Sequence, residues 1–328
     1  MRSPSLGMTI LVTGGAGFIG SHLIQRLLAD DSADRIVCLD DFNDYYDPAL
    51  KRENVALFAD DRRVKIVEGT VCDSAAMSRL LTEHDVRQVV HLAAYAGVRA
   101  SLDRPAIFET VNVGGTLALL EAVHRRPVDR FVFVSSSTVY GDTAEVPFAE
   151  DATLGIPLSP YGVTKRAAEL MALAYWRLHG VPVVCLRPFS VYGSRIRPDL
   201  AMWIFARAIR EGRPLPLLGD GSQLRDFTHV SDVCAGIVAA VTAESVAGEA
   251  INLGHHEPAE IRRLVSLLEA ELGRRANIEY RAANAADLPV TCADLTKATR
   301  LLGYRPQMSL ADGVREFAAW FNSRVLSP

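Results

Sequence analysis

The chain has 328 residues, 49% of them hydrophobic, with 35 Lys+Arg against 39 Asp+Glu and a formal net charge of −4 at pH 7. That composition supports a large core and excludes a disordered chain or a polybasic nucleic-acid surface. Five scattered cysteines (38, 72, 185, 234, 292), no signal-like apolar run over residues 1–7 and no membrane-length stretch give the expectation of reduced thiols in a cytoplasmic protein, with no metal, membrane or nucleic-acid partner.

In chain order, residues 1–8 read as a disordered leader and the first strand as 9–12. Thr13-Gly-Gly-Ala-Gly-Phe-Ile-Gly20 follows at once and opens a helical pattern over 21–28. Glycines at 14, 17 and 20 permit a tight strand-to-helix turn, close backbone approach to a pyrophosphate and close helix–strand packing. The helix N-terminus supplies free N–H groups and partial positive charge to phosphates. A second strand, 35–39, ends at Asp40, where an acid is needed to take the adenosine ribose hydroxyls. The combination predicts dinucleotide binding, and the carboxylate at Asp40 favours NAD over NADP.

Further strands are predicted at 64–68, 88–92, 130–135 and 182–186, with helices at 73–84, 107–124 and 160–178. Continuous apolar strands alternating with helices predict an α/β, doubly wound parallel sheet with its site at the carboxyl ends of the strands. After Pro188, proline-bearing loops and helices at 202–211, 232–242, 258–272 and 310–321 predict a smaller C-terminal lobe. The expected division is 8–187, with 227–256 returning to it, against 188–226 and 257–325.

Tyr161-Gly-Val-Thr-Lys165 places Tyr161 and Lys165 on one helical face at i and i+4. A free tyrosine, with a pKa of about 10, is a poor base at neutral pH; a neighbouring ammonium brings it into range. Upstream, Phe133-Val-Ser-Ser-Ser-Thr-Val-Tyr-Gly141 collects hydroxyls at a strand end.

These motifs resemble the extended short-chain dehydrogenase/reductase family, in its NAD-dependent nucleotide-sugar epimerase/dehydratase branch. The resemblance runs through His91-Leu-Ala-Ala94, Asn112-Val-Gly-Gly-Thr116, Leu186-Arg-Pro-Phe-Ser-Val-Tyr-Gly193, Arg225-Asp-Phe-Thr-His-Val230 and Leu302-Gly-Tyr-Arg-Pro306. It implies that Tyr161 takes the sugar 4-OH proton, that Lys165 lowers its pKa and holds the nicotinamide ribose, and that Ser136 relays the proton. It implies cofactor contacts from Gly14, Gly17, Phe18, Ile19, Gly20, Asp40, Asn43, Val71, Leu92, Ala93, Ala94, Asn112, Tyr161, Lys165 and Pro188. Arg225 would hold the diphosphate and Asp287 the nucleotide ribose. The family also implies a homodimer built from the helices at 107–124 and 160–178 as a four-helix bundle.

Dehydratases of this family carry carboxylates where Ser137 and Thr138 stand, and the decarboxylases keep one at the position of Thr138. Neutral hydroxyls at both places imply plain 4-epimerisation of a UDP-sugar. Residues 42–51, Ala96-Gly-Val-Arg-Ala-Ser101 and Arg197-Pro-Asp-Leu-Ala201 resemble UDP-glucuronate 4-epimerases, with Arg197, Ser190, Ser137 and Thr138 as partners for the C6 carboxylate. Arg99 fits either carboxylate or phosphate, and Arg195 adds a cation expected beside the carboxylate site. The alternatives are a 4-epimerase of neutral UDP-hexoses or their N-acetyl forms, and an idle NAD-binding regulator.

Overall fold

Seven strands form one parallel sheet: β1 (Thr9–Thr13), β2 (Arg35–Asp40), β3 (Val64–Glu68), β4 (Val86–His91), β5 (Arg130–Val134), β6 (Val183–Pro188) and β7 (Ala250–Leu253). Their spatial order is β7-β6-β5-β4-β1-β2-β3, every neighbouring pair parallel. The computed structural model describes residues 8–142, 145–282 and 288–325.

The two-residue side-chain period divides each strand between two cores. Ile10, Val12, Ile36, Cys38, Val132, Val134, Val184 and Leu186 face one way. They pack on Leu23, Ile24 and Leu27 of α1 (Phe18–Ala29) and on Val233, Ile237 and Val241 of the helix Val230–Thr242. Leu11, Val37, Leu39, Phe131, Phe133 and Val183 face the other way. They meet Met77, Leu80 and Leu81 of α2 (Ser74–Glu83), Leu119, Leu120 and Val123 of α3 (Thr116–Arg125), and Ala168 and Ala172 of α4 (Pro160–His179). Apolar residues on both faces explain why the strands read as unbroken hydrophobic runs rather than alternating ones. The fold is the doubly wound α/β Rossmann type.

The first core continues without a break into a smaller C-terminal lobe through Phe205, Ile209, Leu264, Leu268, Phe317 and Phe321. There Pro214–Leu218 pairs in parallel with Asn277–Arg281, and Leu224–Arg225 antiparallel with Ala259–Glu260. That second pairing shortens the helix expected at 258–272, which begins at Ile261. β7 joins the outer side of β6 from far along the chain.

The helix expected over 107–124 is divided. Pro105–Phe108 is α-helical, Glu109–Gly115 is a π-turn, and α3 follows. The cause is Asn112, which is 1% exposed. Its Nδ2 donates to Tyr95 O at 3.0 Å and Thr164 Oγ1 at 3.1 Å, while its Oδ1 accepts from Tyr95 N at 2.8 Å. One wide turn lets this side chain clasp both the loop after β4 and α4, as π-bulges do near functional sites. Among the described residues, Pro105–Arg125 is also the one helical segment long and apolar enough to cross a membrane, and half of its most apolar window is buried in the protein. Among the described residues, three helices escape the hydrophobic pattern, Val98–Asp103, Pro48–Ala56 and Thr296–Leu302. The second starts on Asp47, which caps Ala49 N at 2.9 Å, with Pro48 in its first turn.

Candidate active site

The glycine turn closes over the end of β1. Gly14 has φ +71°, and a Cβ there would meet Ala93 N at 2.8 Å; at Gly20 a Cβ would collide with Gly14 O. Gly14 N donates to Leu39 O at 2.7 Å and Leu92 N to Thr13 O at 3.1 Å, so the turn sits between the ends of β2 and β4. Ala93 N donates to Thr13 Oγ1 at 3.2 Å, with Ala94 next in the same loop. Gly17 caps α1 without a side chain, leaving the N–H groups of Phe18 and Ile19 at the helix entrance for an anion. This is a cradle that side chains would fill, and it fits a dinucleotide.

Asp40 ends β2 as expected, but it is not alone. Its Oδ2 accepts from Ala16 N at 3.2 Å, and its Oδ1 accepts from Phe42 N at 3.0 Å and Lys51 Nζ at 3.1 Å. Both side chains of the ion pair are under a tenth exposed. Lys51 lies in the stretch singled out only for its resemblance; the Asp47-Pro48 helix start was the local signal that would have placed it. Asn43 is engaged within its own loop, donating from Nδ2 to Asp41 Oδ1 at 2.7 Å and accepting from Tyr45 N at 3.2 Å. Val71 is buried against Gly115, where a Cβ would meet it at 2.7 Å. Asn112, expected at the cofactor, directs both Nδ2 hydrogens to the protein. Pro188 ends β6 opposite Leu253.

Ser159 caps α4 by accepting from Gly162 N at 3.1 Å, and Pro160 starts it, which puts Tyr161 in the first turn. The Tyr161 side chain lies beside Ser136. Ser136 Oγ accepts from Thr138 N at 3.2 Å and Thr138 Oγ1 at 2.9 Å, at the start of the turn Ser137–Tyr140. Lys165, one turn on, is 4% exposed, donates to Val134 O at 2.6 Å and stands 4.5 Å from the Phe133 ring centroid. Burial raises the Tyr161 phenol; the Ser136 hydroxyl and the Arg197 cation oppose the rise. Burial pulls Lys165 down to about 8, opposed chiefly by Glu169. Arg197 is thus the cation that opposes the rise of the Tyr161 phenol, the electrostatic role that the motif alone assigned to Lys165.

The substrate-side residues are brought together unevenly. Arg197 reaches the neighbourhood of Tyr161, but its Nε and Nη2 each donate to Asp199 at 2.9 Å, and Nη2 also to Ala96 O at 3.3 Å. Tyr45 Oη donates to the same carbonyl at 2.6 Å. The expected free bidentate edge is therefore occupied by Asp199, leaving Nη1 without a hydrogen bond among the described residues. Asp199, two residues along, was the local signal of this. Arg195 is a clear correction: it turns away to α1, where its Nε donates to His22 Nε2 at 3.1 Å. Ser190 O accepts from Thr228 N at 3.2 Å, which holds Ser190 between β6 and Val191–Tyr192. Arg225 lies on Leu224–Arg225, with Nη1 donating to Leu224 O at 2.8 Å. Arg99 is exposed in Val98–Asp103, and Asp287 lies outside the described residues.

The profile of the NAD dependent epimerase/dehydratase family matches residues 10–254, and the chain belongs to that family. It is 36% identical to a UDP-glucuronate 4-epimerase of Thermodesulfobacterium geofontis over 316 residues, 96% of either chain. The crystal structure of UDP-glucuronic acid 4-epimerase from Bacillus cereus in complex with UDP-glucuronic acid and NAD is similar with a TM-score of 0.92 and 38% identity, covering 97% of this chain and 100% of that one. A dTDP-glucose 4,6-dehydratase from Streptomyces venezuelae with NAD bound follows at 0.90 and 34%, covering 96% and 97%.

The Asp40–Lys51 pair yields a prediction. Asp40→Ala removes the anion that repels a 2′-phosphate and leaves the Lys51 ammonium to attract one. Equilibrium binding is expected to show the NAD-over-NADP preference reduced at least about tenfold, the scale of one charge interaction; an unchanged preference would remove Asp40 from cofactor selection.

Proposed function

We propose that this chain interconverts UDP-glucuronate and UDP-galacturonate by NAD-dependent 4-epimerisation through a transient 4-keto sugar. One observation carries the reading: the turn beside the start of α4, next to Tyr161, carries the neutral hydroxyls Ser136, Ser137 and Thr138, where a second elimination or decarboxylation step would need a carboxylate. The family membership, the named relatives and the glycine cradle support it.

Gly14, Gly17, Gly20, Asp40, Lys165 and the loop Leu92–Ala93–Ala94 are the residues that would hold NAD. Bound there, NAD would supply the acceptor, and then the donor, for the hydride at C4. Tyr161 takes the proton of the 4-OH in one direction and restores it in the other, with Ser136 hydrogen-bonded to the same oxygen. Rotation of the keto sugar between the two hydride transfers presents its other face. Arg225 holds the diphosphate at the lobe side, and Asp287 the nucleotide ribose. Arg197 takes the C6 carboxylate through Nη1, with Ser137, Thr138 and Ser190 as hydroxyl partners. Holding that carboxylate in the ring plane slows loss of CO2 from a β-keto acid.

The test is incubation with UDP-glucuronate and identification of the product by NMR. The expected product is the C4 epimer with C6 intact, and Tyr161→Phe is expected to cut the rate about 100-fold or more while leaving the fold unchanged. Conversion of UDP-glucose in preference to the uronate would overturn the substrate, and full turnover in Tyr161→Phe would overturn the base.

Arg197→Ala should lower kcat/KM for UDP-glucuronate by about 30-fold, the equivalent of roughly 2 kcal/mol for an unpaired buried carboxylate. UDP-glucose, with no carboxylate, is the comparison substrate; equal loss for both refutes the assignment.

The assembly is proposed as a homodimer. Val163, Leu170 and Leu178 on α4 are 51%, 58% and 74% exposed and recur at spacings of seven and eight, which draws an uncovered apolar stripe along the helix. A two-fold copy of α4 and of the helical segment 107–124 covers it as four helices. Light scattering at micromolar concentration should give twice the monomer mass, and a monomer excludes the bundle.

A further inference from the structure

Glu169 and Arg187 lie directly behind the catalytic residues, and the reaction steps above use neither. Tyr161, Lys165 and Glu169 stand at i, i+4 and i+8 on α4, so they share one face. From β6, Arg187 donates Nη2 to Glu169 Oε1 at 2.6 Å and directs Nε at both carboxylate oxygens at 3.2 Å. The two residues are 2% and 4% exposed. The Arg187 guanidinium also lies 4.9 Å from the Tyr140 ring centroid, and Tyr140 Oη donates to Asn252 Oδ1 on β7 at 2.8 Å. Glu169 is thus held by three hydrogen bonds from Arg187 on β6, whose guanidinium in turn lies over the Tyr140 ring.

The groups facing Lys165 come from four elements. Tyr161 and Glu169 flank it on α4, one turn to either side. β5 presents the Val134 carbonyl and the Phe133 ring. β4 contributes His91, which burial, reinforced by the Lys165 charge, holds down to about 3 and so neutral. β6 contributes Cys185, whose thiol burial pushes well above its usual range and leaves neutral, and Arg187, whose charge is directed at Glu169. Glu169 is therefore the one anion facing the ammonium among these groups. It stands about 6 Å along the axis from Lys165 and about 12 Å from Tyr161, at 1.5 Å per residue, so its field acts first on the lysine.

We propose that Glu169 is a positioning residue that keeps the Lys165 side chain cationic inside the site, and that Arg187 locks Glu169 in place for that task. The catalytic consequence rests on the reading of Lys165 as the partner of Tyr161. A lysine shut away from water loses its proton unless an anion compensates. Losing the ammonium removes the cation that makes Tyr161 serviceable as a base. The sign follows: deleting the Glu169 charge makes Lys165 deprotonate at lower pH, so activity fails earlier on the alkaline side.

The sequence has four lysines, Lys51, Lys65, Lys165 and Lys297, so carbon-13 lysine NMR resolves each side chain, with Lys165→Met giving the assignment. In Glu169→Gln the Lys165 midpoint is expected to fall by about one pH unit or more, the lower end of what a nearby opposite charge produces. The alkaline limb of kcat/KM should move down with it, while the Lys297 midpoint stays. Glu169→Gln leaves a buried guanidinium unpaired, so Glu169→Gln/Arg187→Gln, which restores neutrality, is measured beside it and should show the same shift. A Lys165 midpoint unchanged in both variants, with only lower thermal stability or uniformly scaled turnover, overturns the proposal. A shifted midpoint with an unmoved alkaline limb upholds the role of Glu169 and instead refutes Lys165 as the partner of Tyr161.

Discussion

Taking charge out of water is the constraint on which the carboxyl edge of this sheet depends. Asp40, Lys51, Lys165, Glu169 and Arg187 are all buried there, and each isolated would cost several kcal/mol. Every one has a partner: Asp40 has Lys51 and two backbone N–H groups, Lys165 has a carbonyl and a ring face, and Glu169 has Arg187. Replacing such pairs by apolar residues would often stabilise a fold. Their retention at the end where ligands bind points to function, because a fixed charge in a dry site acts on its neighbours more strongly than one in water. The glycine turn serves the same edge from the backbone side, bringing N–H groups rather than side chains to the cofactor.

The chemistry follows from which charges are present and which are not. The Tyr161 phenol is raised by burial against the opposing pull of Ser136 and Arg197, beside the neutral hydroxyls of Ser137 and Thr138. Two relatives of similar overall shape, one an epimerase and one a dehydratase, show that the backbone alone does not choose between reactions. On the reading proposed above, the choice falls to side chains such as Ser137 and Thr138.

Much of this was legible in the chain. Continuous apolar runs gave the sheet, because parallel strands are covered on both faces; the glycine spacing gave the cofactor cradle; and helical periodicity put Tyr161 and Lys165 together. What escaped depended on partners distant in sequence. The π-turn at Glu109–Gly115 arises from Asn112 meeting Tyr95 and Thr164, a demand that no local pattern contains. Arg195 turns to His22, far away in sequence, whereas Arg197 is taken by Asp199, a local partner two residues along that the motif does not include. Lys51 and Glu169 stayed unremarked since charged residues on helices are usually solvated faces. Glu169 was nonetheless readable as the next step of the Tyr161, Lys165 spacing.

The position of β7 has a consequence for how the chain is made. The outermost strand on that side of the sheet is supplied by Ala250–Leu253, roughly 60 residues after β6 ends at Pro188. At 5–20 residues per second a ribosome takes roughly 3–12 s to cover that stretch. During that interval the nascent sheet has an open edge at Val183–Pro188, apolar over Val183–Leu186, the kind of edge that recruits foreign strands. The Val230–Thr242 helix, which covers the adjoining face, is translated in the same interval. Biosynthesis therefore leaves the β6 edge unpaired until Ala250–Leu253 emerges, and chaperone capture during translation has a natural target there.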